Sequence, residues 1–480
     1  MTLKARITAI DRFIKGCKED GIYDDLNACC VMAGWDSLAG ALTPLKGAAP
    51  TNANFLDADL DRGIGLKGDG SSKYLDSNRN NNADGQNDNH NAVWVSNADS
   101  GSTGAMYLGA GGPGIAGSTN IGSTTDLASA DTIFRSRSSS SDILSESASS
   151  TGLLALSRSE SVAFAYKSGD LSGSKTRTSE TPVNANCFVF SRNISGSAAL
   201  ITDATLSFYS IGSATNLALL DARVSTLMAD LRAIEEVGFD RDAIAYIRAV
   251  EEADGAYLET DVKVAVNNLV SGLKADGLWD AMASTCLLSG PRTLAGALVP
   301  LKGDAPTAYG FVDGDYDREG LTGDGTSYLD SNRAVDADED SSHHISAFVE
   351  TGSGVLGQYA IGAMSTSSTY TIAGGGMYSR SNTSNAGLTS ATLGIVGVSR
   401  SSLDNFSWKR SGGATQTSVT AATPASISVS HLVFAYNTDT ETPAGFATST
   451  LAFYSIGSSL DLAKLDSHVS AYVTAIGAAV

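Results

Sequence analysis

The sequence predicts a mainly β protein made of two tandem β-sandwiches with flanking and connecting helices. The first observation is a duplication: residues 38–51 return as residues 294–307, and the hexapeptide FYSIGS at 208–213 returns at 453–458. Because the matching blocks keep their order along most of the chain, the repeated unit is a domain rather than a short solenoid repeat. The second observation is composition, since 50 glycines in 480 residues, with abundant Ser and Thr, are typical of short strands joined by many turns.

The length sets the number of domains. A chain of 480 residues accommodates two sandwiches and a connector. The separation between matching blocks shortens across the Ser- and Gly-rich middle of each copy, which assigns the length differences to surface loops. We therefore predict an N-terminal helical segment at 1–32, a first sandwich with its C-terminal helix at 33–227, a helical connector at 228–288, and a second sandwich with its C-terminal helix at 289–480.

Helical periodicity opens the first copy. Leu3, Ile7 and Ile10 recur at steps of three and four residues and give one apolar face. After a break at Gly21 the chain predicts a second short helix, so residues 3–32 are predicted to be helical. This segment is either an arm that docks on a partner or a cap on its own sandwich. A further helix is predicted after each FYSIG block, at 215–234 and 460–477.

Alternation with a period of two predicts the strands. Leucine and alanine alternate with aspartate at 56–61, which predicts a strand with one solvated face. The Gly-Asp-Gly triplet at 68–70 predicts the turn of a hairpin. Further strands in the first copy are predicted at 92–97, 153–158, 161–167, 187–192 and 205–211.

The charge of the chain limits its partners. A net charge of −20, from 52 acidic and 32 basic residues, predicts repulsion from nucleic acid and from anionic membranes. The sequence has no run of 18 apolar residues, and its N-terminus lacks the apolar core of a signal peptide. We therefore predict synthesis in a cytoplasm and no nucleic-acid or membrane partner.

Cysteine and histidine offer little chemistry that recurs. Of the five cysteines, only Cys30 and Cys286 occur in both copies, which favours buried free thiols over disulfides or a metal site. Of the five histidines, only His90 and His344 recur. The sequence contains no GxSxG nucleophile elbow, and no Ser, His and Asp order repeats. We predict a protein that is not an enzyme.

Two acidic motifs are the candidate metal site. Carboxylates at alternate positions provide the oxygen ligands that Ca²⁺ takes. Both motifs have an arginine at the sixth position, where a calcium loop has glycine, and neither has glutamate at the twelfth. We interpret them as a solvated strand face and predict no cofactor, with calcium as the alternative, held by Asp57, Asp59, Asp61, Asp313, Asp315 and Asp317.

The recurring blocks resemble a known family. They are Gly68 to Gly70, Tyr74 to Arg79 and Phe208 to Gly212 in the first copy, and 323–325, 328–333 and 453–457 in the second. With the helix after the last block, their order resembles the laminin-G-like or concanavalin-A-like lectin sandwich, in particular its tandem copies in virion proteins of tailed bacteriophages. The resemblance covers about residues 50–227 and 306–476 and implies two concanavalin-A-like jelly rolls. That sandwich serves adhesins, lectins, lyases and inert virion decorations.

One aromatic pair is the candidate glycan contact. Tyr166 and Trp408 occupy equivalent strands, and each precedes a lysine, Lys167 or Lys409. An exposed ring in this position would stack on a sugar, and the alternative is a ring in the core.

The resemblance and the duplication together predict a function. We expect a non-enzymatic structural protein of a bacteriophage virion, as a capsid decoration, collar or tail-fibre component. It would be made in the host cytoplasm, form a homo-oligomer, and contact other virion proteins. The alternatives are an adhesin that binds host surface glycans and a polysaccharide-degrading enzyme.

Overall fold

The architecture is described from a computed structural model. The structure describes residues 3–99, 104–112, 116–123, 131–144, 151–351, 358–364, 369–373, 378–380, 387–388, 393–410, 414–419 and 427–480. The chain divides into two units, Met1–Val237 and Gly238–Val480. This boundary lies inside the segment 228–288 that the sequence assigned to a connector, so the helices of that segment belong to one unit or the other.

The first unit begins and ends with long helices. Its helices are α1 (Leu3–Glu19), α2 (Leu38–Ala41) and α3 (Leu217–Glu235). Its strands are β1 (Leu26–Val31), β2 (Thr51–Ala53), β3 (Leu60–Asp61), β4 (Gly65–Lys67), β5 (Tyr74–Asn80), β6 (Asn89–Asn97), β7 (Met106–Gly111), β8 (Ser118–Ser123), β9 (Thr132–Ser138), β10 (Asp142–Leu144), β11 (Gly152–Arg158), β12 (Ala163–Ser168), β13 (Leu171–Thr176), β14 (Asn186–Val189), β15 (Arg192–Ile194), β16 (Ser197–Ala199) and β17 (Thr205–Gly212).

Two sheets form the first sandwich. One runs in the order β13-β12-β11-β6-β17-β4-β3, with β1 also paired to β17. The other runs β10-β9-β8-β7-β14-β5-β2, and β15 joins it by pairing in parallel with β7. The core between the sheets takes Val93 and Leu154 from one sheet and Leu108 and Phe134 from the other. This confirms the mainly β sandwich class.

The helices α1 and α3 cover the outer face of the first of these sheets. Phe13 of α1 and Leu220 of α3 join Trp94, Leu153 and Phe208 in a second core layer. The leading helix therefore caps its own sandwich. The apolar stripe that the sequence shows at steps of three and four residues is the face that this layer buries.

The prediction of helix through residue 32 is wrong after Glu19. Gly21 takes a φ of 73°, and the chain then enters β1, in which Cys30 pairs with Tyr209 of β17. Ala28 and Cys30 face the core between the sheets, whereas Cys29 and Val31 lie under the helices. Because both faces of β1 are buried, its residues form a continuous apolar run, and periodicity does not distinguish such a strand from a buried helix.

The second unit repeats this plan with an additional helix. Its helices are α4 (Arg241–Asp254), α5 (Thr260–Ala275), α6 (Leu294–Ala297) and α7 (Leu462–Ala479). Its strands are β18 (Met282–Leu287), β19 (Pro300–Lys302), β20 (Thr307–Tyr309), β21 (Tyr316–Asp317), β22 (Gly320–Thr322), β23 (Tyr328–Ala334), β24 (His343–Thr351), β25 (Tyr359–Met364), β26 (Thr369–Ala373), β27 (Tyr378–Arg380), β28 (Gly387–Leu388), β29 (Gly394–Arg400), β30 (Asn405–Arg410), β31 (Gln416–Val419), β32 (Ser430–Val433), β33 (Tyr436–Thr438), β34 (Pro443–Ala444) and β35 (Thr450–Gly457).

The sheets of the second unit follow the same order. One runs β19-β18-β35-β24-β29-β30-β31, and the other runs β20-β23-β32-β25-β26-β27-β28, with β33 parallel to β25. The helices α5 and α7 pack on the outer face of the first sheet, as α1 and α3 do in the first unit, with Leu269, Val469 and Phe453 in one cluster. The helix α4 adds Ile247 and Val250 to this cluster and so extends it.

Most predicted strands of the first copy are observed within a few residues of their predicted ends. The hairpin predicted around 68–70 is not formed, because β4 before it and β5 after it belong to different sheets. The predicted strands that differ are 56–61, of which only β3 remains, and 187–192, which the structure divides into β14 and β15. Phe190 between them has a φ of 66°, and its counterpart Phe434 has 68°. A positive φ interrupts a strand, and the sequence gives no sign of it because aromatic residues rarely adopt one.

Candidate functional site

The candidate calcium motif of the first copy is a turn of helix followed by a short strand. Asp57–Asp59 form a single 3₁₀ turn, and the predicted strand at 56–61 is reduced to β3. Each carboxylate accepts from a nearby backbone amide, Asp57 from Leu38 at 2.7 Å, Asp59 from Leu56 at 2.7 Å, and Asp61 from Gly63 at 2.7 Å. The motif therefore stabilises its own turn.

The second copy repeats the turn and two of these contacts. Asp313–Asp315 form the same 3₁₀ turn, Asp315 accepts from the amide of Val312 at 2.8 Å, and Asp317 accepts from Gly320 at 3.0 Å. Within the residues that the structure describes, no group of three or more His, Cys, Asp or Glu side chains is arranged to hold a metal ion. The geometry favours the structural interpretation of both motifs.

Tyr166 and Trp408 lie on the inner side of their strands. Tyr166 packs against the core between the sheets, with its ring centroid 5.8 Å from that of Phe134 on the facing sheet. Trp408 packs against the equivalent core of the second unit. The following lysines point the other way, where Lys167 pairs with Asp221 of α3 at 3.1 Å and Lys409 pairs with Asp466 of α7 at 3.2 Å. The placement favours the core alternative for this aromatic pair.

The recurring histidines hold the last strand of each sandwich in place. His90 Nδ1 lies 2.6 Å from the carbonyl oxygen of Ser213, and its Nε2 lies 2.7 Å from Ser210 Oγ. In the second unit, His344 makes the same contacts with Ser458 at 2.6 Å and with Ser455 at 2.9 Å. Burial lowers the pKa of His90, and it lowers the pKa of His344 to about 4. A neutral imidazole that donates through Nδ1 and accepts through Nε2 satisfies this geometry.

A buried arginine explains the Ser-Arg dipeptide that recurs at the end of one core strand. Arg158 is fully buried and donates to the carbonyl oxygens of Ser136 at 2.9 Å, Ala163 at 3.1 Å and Arg177 at 3.0 Å. Its counterpart Arg400 is equally buried and donates to the carbonyl of Leu403 at 2.6 Å. Arg158 thus satisfies main-chain acceptors of β9, of β12 and of the residue after β13, and Arg400 satisfies one in the segment after β29.

An aromatic surface lies on the outer face of the second unit's helix-free sheet. Tyr309 of β20 stacks on Tyr328 of β23, with ring centroids 4.6 Å apart and planes within 10°. Tyr309 keeps 45% of its surface exposed. Phe446 extends the stack, with its centroid 6.0 Å from that of Tyr328. Their neighbours Ala308 and Leu329 face the core, so strand alternation directs these rings outward.

A second aromatic pair completes this surface. Tyr359 of β25 meets Tyr436 of β33 edge to face, at 4.9 Å between centroids. Gly445, which precedes Phe446, provides the room, because a Cβ there would lie 2.5 Å from Tyr359 Cδ2 and 2.7 Å from Tyr436 Cε1. We use the name aromatic surface for the half-buried or exposed rings Tyr309, Tyr328, Tyr359, Tyr436 and Phe446.

Polar groups border the aromatic surface. Gln358 Oε1 accepts from the amide of Thr448 at 3.3 Å and from its hydroxyl at 3.1 Å, and Thr448 is exposed. Burial, followed by the neighbouring Tyr309 and Asp330, raises the pKa of Tyr328, so its phenol keeps its proton over a wide pH range. Exposed rings beside hydroxyl and amide groups are suited to a ligand that has both apolar faces and hydroxyls.

The sequence did not reveal the aromatic surface. Its rings come from segments far apart in the chain, and the tyrosines at 309 and 328 become neighbours only through the register in which β20 pairs with β23. The available signal is the difference between the copies at these positions. The first unit has Ala53 in place of Tyr309, Met106 in place of Tyr359 and Arg192 in place of Tyr436.

Comparison with known proteins yields distant structural likenesses. No family model matches the chain, and no curated protein matches it. The binding domain of botulinum neurotoxin serotype D matches at 10% identity over 91% of this chain and 96% of that chain, with a TM-score of 0.34. Domains LG4-5 of the mouse laminin alpha1 chain match at 9% identity over 79% and 85%, with a TM-score of 0.21.

A tailspike protein 2 of an Escherichia coli bacteriophage also matches, at 11% identity over 40% of this chain and 26% of that chain, with a TM-score of 0.24. The chain likewise spans only 23% of the sialidase from Streptococcus pneumoniae that it matches. No helix of the described residues is long and apolar enough to cross a membrane.

Proposed function

We propose that this chain is a non-enzymatic carbohydrate-binding protein and that the aromatic surface of its second unit holds the sugar. The single observation that carries the proposal is the stack of Tyr309 on Tyr328. The Tyr309 side chain is 45% exposed, and the stack lies on a sheet face that no helix of the described residues covers. Contiguous exposed apolar patches mark interaction surfaces and ligand-binding grooves, and the five rings of the aromatic surface form such a group. The C–H face of a pyranose is the complementary partner of such a ring.

The chemistry predicts weak binding at each site. A ring that stacks on one apolar face contributes about 0.5–1.5 kcal/mol beyond the area that it buries. A few such contacts with a rim of amide and hydroxyl groups give dissociation constants on the order of millimolar to micromolar. Proteins with weak sites gain affinity by displaying many copies at once. The proposed homo-oligomer, or an array on a particle, would provide these copies.

The test is a glycan array probed with the full chain and with two variants. Tyr309→Ala removes the exposed ring of the stack, and Leu56→Ala removes an apolar side chain that is 65% exposed in the first unit. We expect Tyr309→Ala to lower the affinity for the bound glycan at least tenfold and Leu56→Ala to leave it unchanged. Equal affinity of Tyr309→Ala and the parent chain would overturn the assignment of the site.

We also propose that the protein is a bacteriophage virion component in which the sandwiches act as a scaffold. The observation in favour is that nearly every strand of the first unit has a counterpart in the second and that the recurring polar contacts of His90, Arg158 and Lys167 hold sheets, loops and helices together. Its partners would be other virion proteins, and host glycans would meet its aromatic surface. Stoichiometric recovery of the chain in purified particles supports this role, and its absence from them contradicts it.

A further inference from the structure

One edge of the apolar face of α1 remains in contact with solvent. Phe13 and Cys17 are buried in the layer between the helices and the sheet. Beside them, Ile7 is 56% exposed, and Ile10 and Ile14 are only half-buried. Because these three isoleucines are spaced by three and four residues, they line up along one side of the helix. We call them the isoleucine stripe.

The helix α5 occupies in the second unit the position that α1 occupies in the first. A Cβ on Gly16 of α1 would lie 2.5 Å from Arg223 of α3, and a Cβ on Gly272 of α5 would lie 2.6 Å from His468 of α7. Each helix thus has a glycine where it meets the C-terminal helix of its unit. The two helices can therefore be compared residue by residue.

The equivalent of the isoleucine stripe is covered in the second unit. Its residues are Lys263, Val266 and Val270, and each is at most 3% exposed. The two valines share a cluster with Ile247 and Val250 of α4, so α4 is the helix that covers them. Among the described helices of the first unit, none takes the place of α4. The second unit therefore shows what fits this side of the helix.

The beginning of α4 is held by polar contacts that the first unit can also make. Lys274 Nζ lies 2.7 Å from a carboxylate oxygen of Asp240, and Asn267 Oδ1 accepts from the Asp240 amide at 2.7 Å. At the equivalent positions of α1 stand Lys18 and Asp11, and both are exposed. A lysine attracts an acidic first turn, and a carboxylate accepts from the free amides of that turn. This end of the stripe suits the start of a helix.

The middle of the face differs in charge between the units. Lys263 pairs with Glu251 of α4 at 2.8 Å, and both side chains are 4% exposed. Ile7 replaces this lysine in the first unit. A carboxylate at the position of Glu251 would be buried there without its partner, which is strongly unfavourable. A helix that fits the isoleucine stripe therefore has an apolar residue at this position.

The far end of the face also differs. In the second unit, Asp254 at the end of α4 accepts from the amide of Thr293 at 2.9 Å and lies against Gly296. In the first unit, the indole of Trp35 lies over the equivalent Gly40, with its Cε3 3.3 Å from the place of a Cβ. The indole thus takes the space of the Asp254 carboxylate, and a helix on the stripe ends before that position.

We propose that the isoleucine stripe is the docking surface for an amphipathic helix of a partner protein. The partner helix has an acidic first turn that meets Lys18, and apolar residues at steps of three and four that cover the isoleucines. Exposed contiguous apolar surface marks interaction sites, and an amphipathic helix is a common occupant of such a face. The seat of α4 on the equivalent face provides the template. The inference goes beyond the proposed function and depends on neither the glycan site nor the virion role.

The experiment titrates the full chain with two peptides of residues 239–253, one native and one with Glu251→Leu. We expect the parent chain to bind the Glu251→Leu peptide at least tenfold more tightly than the native peptide. Ile7→Lys restores the lysine of the second unit and should reverse this preference at least tenfold. Thr8→Lys places the same charge at an exposed position outside the stripe and should keep the preference of the parent. Tighter binding of the native peptide to Ile7→Lys is a gain that misfolding does not produce.

The remaining outcomes decide against the proposal. It is wrong if neither peptide binds the parent chain at millimolar concentration. It is also wrong if Ile7→Lys leaves both affinities unchanged, or if hydrogen exchange shows protection by the Glu251→Leu peptide in α5 and none in α1. Sedimentation without peptide tests the other occupant. Dimers of the parent chain that Ile7→Lys separates would assign the stripe to a second copy of this chain and overturn the partner helix.

Discussion

The two units share a scaffold and differ on one sheet face. The contacts that hold each sandwich together recur almost unchanged: the distance from the histidine Nδ1 to the serine carbonyl is 2.6 Å in both, and the lysine pairs with the helix at 3.1 Å in one and 3.2 Å in the other. On the helix-free sheet, the first unit has Met106 and Arg192 where the second has Tyr359 and Tyr436 of the aromatic surface. Duplication thus kept the contacts that hold the sandwich together and changed side chains on this sheet.

This difference teaches where function can diverge in a duplicated sandwich. The sheet covered by two helices is buried on both faces, so a change there disturbs a core. The opposite sheet is buried on one face only, and every second residue of its strands is available for substitution. Arg192 and Tyr436 stand at such equivalent positions.

The largest effect that we expect comes from the buried arginines of the shared scaffold. Arg158→Met keeps an apolar stem and leaves the carbonyls of Ser136, Ala163 and Arg177 without their donor, so it should destabilise the first unit by about 3 kcal/mol or more. Arg400→Met should cost the second unit a similar amount. Calorimetry of the full chain checks both, with Arg241→Met at an exposed position of α4 as control. A loss below about 1 kcal/mol would contradict the role of the guanidinium.

The second prediction separates the units by pH. Burial lowers the pKa of His343, His344 and His431 to about 4, and in the first unit it lowers the pKa of His90. Between about pH 6.5 and 4 the unfolded chain binds protons that the folded chain excludes, so the free energy of unfolding falls as the pH falls, by up to about 1.4 kcal/mol per pH unit for each histidine.

The second unit should therefore lose stability faster than the first on acidification. Hydrogen exchange of the full chain at pH 7, 6 and 5, corrected for intrinsic rates, should show earlier loss of protection in β24 and β35 than in β6 and β17. Equal losses in the two units would argue against the three buried histidines as the cause. His431→Asn should reduce the difference.

The third prediction tests whether the scaffolds are equivalent. Asn78 and Asn332 have φ values of 54° and 55°, and each side-chain amide donates to a backbone carbonyl at 2.8 Å, that of Ala49 or Ala305. Replacing either by alanine should lower the free energy of unfolding by about 1–2 kcal/mol, because the left-handed conformation is strained for alanine and the side-chain hydrogen bond is lost. Chemical denaturation measures this. The matched Asn→Gly variants keep the backbone and should cost less, and unequal costs in the two units would show that the scaffolds have diverged.

The smallest expected effect comes from moving aromatic chemistry between units. Ala53 pairs with Tyr74 in the register in which Tyr309 pairs with Tyr328. Tyr74 already stacks on Phe188, with ring centroids 4.8 Å apart. Ala53→Tyr should therefore add an exposed ring to this stack and change stability by less than about 0.5 kcal/mol, because the position is half-exposed. A second weak site for the neutral glycan should appear in titrations, whereas Ala53→Thr should add none. If no second site appears, an exposed ring stacked on Tyr74 is not sufficient to bind the neutral glycan.

The sequence predicted much of the fold because the duplication allows two copies of the same domain to be compared. Blocks that recur identify scaffold, and the strands at 92–97, 153–158 and 205–211 are found as β6, β11 and β17. The helix predicted through residue 32 failed because β1 is buried on both faces and has no alternation. The acidic motifs at 57–61 and 313–317 look like ligands in sequence, and only their backbone amide partners reveal a self-capped turn.

By itself the sequence determined the class, the duplication and the helices that follow each FYSIG block, because periodicity and repetition are local properties of a chain. Tertiary structure decided the sites. Tyr309 and Phe446 both contact Tyr328, one through a strand pair and the other through a loop, and Tyr359 meets Tyr436 across two more strands. The register between distant strands places such residues side by side, and register depends on which side chains the whole core can bury.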